Sequence, residues 1–115
     1  MLNFPSGVTI YLHTEPTDMR KGVDGLSGIV RGQFDGDPTD GALYLFVNRR
    51  RDRMKILHFD GTGFWLFYKT LEQGTFEVRR TEDQRLVIDS TELAMLLGGV
   101  SLVGVRRRKR YRKAS

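Results

Sequence analysis

The sequence predicts an α+β fold: a mostly antiparallel sheet of about five strands with one longer helix packed on a face, a short C-terminal helix and a disordered basic tail. Three observations predict it. Short β-branched and aromatic runs bounded by Gly, Asn and Asp recur after residue 41, the pattern of a strand meander. One stretch, residues 18–34, carries apolar residues at spacings of three and four. Seven of the eight positions from 106 to 113, RRRKRYRK, are cations.

The elements follow in order. Residues 8–12 (VTIYL), after Pro5 and Gly7, read as a first strand that Thr14 to Pro16 breaks. Met19, Val23, Leu26, Ile29, Val30 and Phe34 then form one face of a helix over residues 18–34, with Thr17 or Asp18 as N-cap. Gly22, Gly25 and Gly28 each cost roughly 1 kcal/mol in a helix interior, so their spacing predicts a close neighbour, a sheet face, on that side. Residues 35–41 (DGDPTDG) are turn chemistry. Residues 43–47, 54–59 and 64–69 are apolar and aromatic strands joined by NRRRDR and by DGTG, the latter a tight-turn signal. Phe64, Trp65, Leu66, Phe67 and Tyr68 are apolar at every position, as in a central strand buried on both faces. Gly74 separates residues 70–73 from 76–79, and residues 86–88 make a last short strand. Asp89-Ser90-Thr91-Glu92 ahead of Leu93, Met95, Leu96 and Leu97 is an N-capped helix stopped by Gly98 and Gly99. Residues 100–105 continue as a strand or an extended connection.

At 115 residues the chain is read as one domain, residues 1–105, followed by the tail at 106–115. The tail also sets the charge. Without residues 106–113, 12 cations face 14 acids, so the body is about −2 although the whole chain is +5. A terminal run of like charges repels itself and has nothing apolar to pack, which suits a polyanion. The first partner to expect is nucleic acid. The absence of cysteine excludes disulfide frameworks, thiolate zinc sites and cysteine nucleophiles. The N-terminal residues lack a basic n-region and an apolar signal stretch, and no run of about 18 apolar residues occurs, so a soluble cytoplasmic protein is expected.

A second basic cluster, Arg49, Arg50, Arg51, Arg53 and Lys55, falls at the tip and shoulder of the hairpin between residues 43–47 and 54–59. Arginine forks match phosphate oxygens, and a two-stranded ribbon can enter a major groove. The same charges also suit a solvated hairpin end guarding a sheet edge. With Arg106, Arg107, Arg108, Lys109, Arg110, Arg112 and Lys113 of the tail, these are the candidate nucleic-acid-binding residues. Tyr111 and Trp65 are candidates for base stacking. Catalytic chemistry is not evident. Asp35, Asp37 and Asp40 resemble a calcium loop, but Thr39 and Phe46 stand where ligands are needed. Asp18, Asp24, Asp60 and Asp89 could support metal-dependent phosphodiester chemistry only if the fold gathers them. His13 and His58 lack ligand spacing, Ser6, Ser27, Ser90 and Ser101 lack a nucleophile elbow, and no phosphate loop is present.

Three blocks in order, DMRKG at residues 18–22, LFVNRRRDRMKIL at 45–57 and DGTGFWLFYKTLEQGTF at 60–76, resemble the TnpB accessory proteins encoded by the second open reading frame of the bacterial insertion-sequence-sixty-six transposon family. The resemblance covers roughly residues 7–76 and more loosely extends to 97. It implies a small non-enzymatic partner of a separate, larger transposase within a mobile element, and the residues themselves give no reason to expect a cofactor or a metal. Asp18, Arg20, Lys21 and Gly22 carry over onto the first motif. Arg50, Asp52, Arg53 and Lys55 carry over onto the second, and Asp60, Gly61, Gly63, Tyr68, Lys69 and Leu71 onto the third. The family attaches no molecular role to these positions. The resulting expectation is an accessory factor for DNA transposition and recombination that binds DNA, at the transposon ends, and the transposase of its own element. The alternative is an interaction module that docks on the transposase, or on another copy of itself, without touching DNA.

Overall fold

In a computed structural model, which describes residues 7–78 and 84–99, strand β1 (Ile10–His13) leads into helix α1 (Val23–Gln33). Strands β2 (Leu43–Val47), β3 (Arg53–Phe59) and β4 (Phe64–Thr70) follow, then β5 (Arg85–Ile88) and helix α2 (Ser90–Leu97). The five strands form one sheet in the order β4-β3-β2-β1-β5. The expected mostly antiparallel sheet is corrected to a mixed one, because β1 and β2 pair in parallel, Ile10 beside Leu43 and Leu12 beside Leu45. A parallel pair needs a crossover, and α1 with its flanking turns supplies it.

Alternation along the strands divides the core in two. Ile10, Leu12, Leu43, Leu45, Val47, Met54, Ile56 and Ile88 point to one face, where Leu93 and Leu96 of α2 cover them. Tyr44, Phe46 and Leu57 point to the other, under Leu26, Val30 and Phe34 of α1. All five residues of β2 are therefore buried. Aromatic contacts stiffen the α1 side. Tyr11 stacks on Tyr44 with ring centroids 5.3 Å apart, and Phe34 lies 5.6 Å from Tyr44 and 6.1 Å from Phe46. The Tyr44 hydroxyl donates to Asp40 Oδ2 at 2.8 Å, and burial raises its pKa.

Helix α1 starts at Val23, not at residue 18. The Asp18 carboxylate takes the backbone N–H and guanidinium of Arg20 in a local turn, leaving Gly22 as an extended N-cap without a side-chain cap. The glycine spacing also proves unrelated to sheet packing. A Cβ at Gly22 or Gly28 would meet nothing within 4 Å, and one at Gly25 would meet only the Lys21 side chain. At the far end Asp35 takes a left-handed conformation, φ 52°, which ends the helix.

Strand β4 is not central. It lies at the sheet edge, with Trp65 54% and Tyr68 51% exposed, so the expected burial of its rings on both faces is overturned. A hairpin with β3 puts β4 outside, and among the described residues no further strand pairs with it. Residues 76–78 are not strand either, although Phe76 and Val78 are core. Helix α2 matches its sequence signal. Asp89 accepts from the Glu92 N–H at 2.7 Å while the Glu92 carboxylate accepts from the Asp89 N–H, a complete capping box. The expected extension over residues 100–105 and the tail at 106–115 lie outside the described residues. Among the described residues, no helix is long and apolar enough to cross a membrane.

The cap and the core can each be weighed by urea unfolding. Asp89→Ala should lower the unfolding free energy by about 1 kcal/mol, and Asp89→Asn by less. Leu57→Ala, which empties a site sealed under α1, should cost about 2–5 kcal/mol.

Candidate nucleic-acid interface

The basic cluster sits on the loop between β2 and β3, and a single asparagine shapes that loop. Asn48 Oδ1 accepts from the backbone N–H groups of Asp52 and Arg53, both at 3.0 Å, while its Nδ2 donates to Asp52 Oδ1 at 2.8 Å. The Asn48 carbonyl accepts from the Arg51 N–H at 3.1 Å, closing a turn that sends Arg51 into the left-handed region, φ 62°. The loop is also tied from outside. The Arg51 carbonyl accepts from the Phe76 N–H at 2.6 Å and the Asp52 carbonyl from the Leu71 N–H at 2.8 Å. Three segments thus share one hydrogen-bonded frame, and the cations stand on a braced base.

The five cations do not behave alike. Arg49, Arg50 and Arg53 are exposed, and Arg51 is half-buried. Lys55, expected to project with them, is only 8% exposed. By register it shares the α1 face with Phe46, and its ammonium donates to the Lys21 carbonyl at 2.9 Å while lying 4.9 Å above the Tyr68 ring. A buried charge needs such partners. The outward cations of the hairpin are therefore Arg49, Arg50 and Arg53, with Arg51 partly drawn in.

Lys55 also shows how the three sequence blocks meet. It joins Lys21 of the first to Tyr68 of the third, which brings the exposed Lys21 to the face of the sheet that Arg53 shares. Lys69 pairs with Met54 and so faces the opposite side. Gly61, φ 102°, turns the β3–β4 hairpin, and Asp60 holds it by accepting from the Thr62 and Gly63 N–H groups and from Trp65 Nε1 at 2.7 Å. That last bond commits the indole nitrogen of the candidate stacking residue.

The acidic positions have local duties. The Arg20 hydrogen bonds hold the Asp18 carboxyl down to about 2, the Asn48 amide lowers Asp52, and the Thr62 and Gly63 amides with Trp65 lower Asp60. Asp89 caps α2. Among the described residues, no group of three or more His, Cys, Asp or Glu could hold a metal ion. His13 is structural. It is buried between Phe34 and Phe46, its Nδ1 donates to the Gln84 carbonyl at 2.9 Å, and burial lowers its pKa. The tail cations from Arg106 to Lys113, with Tyr111, fall outside the described residues. Asn48 is the residue that charge pattern alone passes over. Its signal is an asparagine at the mouth of a loop that needs a left-handed residue.

The described residues thus present a braced cationic hairpin on a sheet of five strands covered by two helices, with Asp18, Asp52, Asp60 and Asp89 engaged in turns and a helix cap. The chain belongs to the family described as IS66 Orf2 like protein, whose model matches residues 8–107. That membership suggests an accessory role in the transposition of an insertion sequence. Two relatives come from Sinorhizobium fredii (strain NBRC 101917 / NGR234). The uncharacterized protein y4jC is 32% identical over 108 residues, covering 94% of this chain and 92% of its own length. The uncharacterized protein y4hO is 35% identical over 98 residues, covering 84% and 85%. No solved structure matches the chain at a significant level.

Acid should weaken the fold in two stages. His13 and the three carboxylates all titrate lower when folded than when unfolded, so each contributes stability that is full above its unfolded value and is lost as pH falls through its folded one. Urea midpoints should decline first below pH 6.5 and again below 3.8, toward about 2. His13→Phe should abolish the upper stage, and Asp18→Asn should shrink the lower.

Proposed function

We propose that this protein supports transposition by holding DNA at the ends of its element, without catalysing strand cleavage, and that it works beside the transposase of the same element. The observation that carries this reading is the braced hairpin with Arg49, Arg50 and Arg53 exposed. A rigid base reduces the entropy lost when long cationic side chains meet phosphate, and arginine forks engage phosphate oxygens in pairs. Lys21 extends the cationic surface toward the start of α1, while the Arg20 guanidinium is paired with the Asp18 carboxylate. The run at 106–113 adds seven charges that attract any polyanion without reading its sequence. Any preference for particular DNA ends then belongs to the folded body.

The competing reading is a module that docks its acidic body on the transposase and uses the arm as a tether. Binding of transposon-end and scrambled duplexes over a series of salt concentrations separates the two. Changing Arg49, Arg50 and Arg53 together to alanine should reduce the slope of log K against log salt by up to about 0.9 for each phosphate that is no longer neutralised. Truncation after Val105 should reduce it again. A body that captures the transposase while neither form binds DNA would favour the module.

A further inference from the structure

We infer that the outer edge of β4 pairs with the same edge of a second copy of this chain, antiparallel, joining two five-stranded sheets into one of ten strands. Two hydrogen bonds flanking the β3–β4 pair fix which backbone groups face outward: Asp60 N–H to the Gly63 carbonyl, and Leu71 N–H to the Asp52 carbonyl. Counting by twos between them, Trp65, Phe67 and Lys69 turn their N–H and C=O groups toward β3. Phe64, Leu66, Tyr68 and Thr70 turn theirs to the open side, where no described strand meets them.

This edge lacks the usual guards. It is seven residues long, has no proline, no bulge in its register with β3 and one charge, Lys69. Its rings are on show, with Trp65 54% and Tyr68 51% exposed. The strand is also complementary to itself. With a two-fold axis through Phe67, Phe64 faces the partner's Thr70 and Leu66 faces the partner's Tyr68, all four being outward-bonding residues. Trp65 then faces the partner's Lys69 on the α2 side, in the closer, non-hydrogen-bonded kind of pair. The single charge of the strand thus falls on the exposed indole across the interface, twice, and never on its own copy. Within one chain Trp65 and Lys69 are about 13 Å apart along the strand and cannot make this contact.

Sedimentation equilibrium of the full chain tests the assignment across a wide concentration range. The wild type should show a monomer–dimer equilibrium. Trp65→Lys, which sets lysine against lysine at both symmetric positions, should weaken it by about tenfold or more. Adding Lys69→Glu to that variant should restore most of the affinity through a crossed ion pair. A wild-type chain that stays monomeric, or a dimer indifferent to Trp65→Lys, overturns the proposal. So does a monomer whose Leu66 and Tyr68 amides resist hydrogen exchange, since another segment of the chain would then cover the edge.

Discussion

The described residues are arranged around a strand that must be buried on both faces. Leu43, Leu45 and Val47 point one way and Tyr44 and Phe46 the other, and all five are buried. One helix cannot cover both sides of a sheet, so the chain provides two, α1 and α2, on opposite faces. The strand must also have both backbone edges occupied, by β1 on one side and β3 on the other. The parallel pairing with β1 follows from the chain spending α1 as the connection between them.

The cationic surface depends on the same strand. β2 and β3 leave the core in a fixed register, Val47 beside Met54, and Asn48 closes the gap immediately beyond it. Side chains that alternate inward at this point are committed to the interior, which is why Lys55 folds under beside Phe46. Only the positions beyond the last core pair, or on its outer side, stay free to meet a partner. A count of basic residues in the segment therefore overstates its reach, since one of the five cations donates to a backbone carbonyl and covers a tyrosine ring.

Much of this was legible in the sequence where the deciding interaction is local. β2, β3 and α2 appear at or within a residue of where their patterns put them, and the capping box at Asp89 and Glu92 is a four-residue signal. Two errors arose from reading a periodic pattern without its neighbours, the first because a nearby polar contact competes with it. The apolar spacing ran back to Met19, but the Asp18–Arg20 bond diverts the chain until Gly22. The small residues at 22, 25 and 28 suggested a packed side and turned out to line an open one. Other errors were of strand order, which no short window encodes. Five apolar residues at 64–68 describe a strand wanting cover on both sides and do not say whether this chain supplies it. For the site, charge pattern found the hairpin. It did not tell Lys55 from Arg53, because both lie on the same face and differ only in how near the core they stand.

The left-handed Arg51 carries a further consequence. An L-residue other than asparagine or aspartate is strained in that conformation by roughly 1–2 kcal/mol, and the Asn48 turn together with the Phe76 hydrogen bond hold Arg51 there. Glycine would sit at position 51 without that strain, yet would remove a guanidinium from the hairpin. Conformational stability and surface potential are thus set against each other at one residue. Selection for heat resistance alone would favour glycine at this position and leave the hairpin one positive charge poorer.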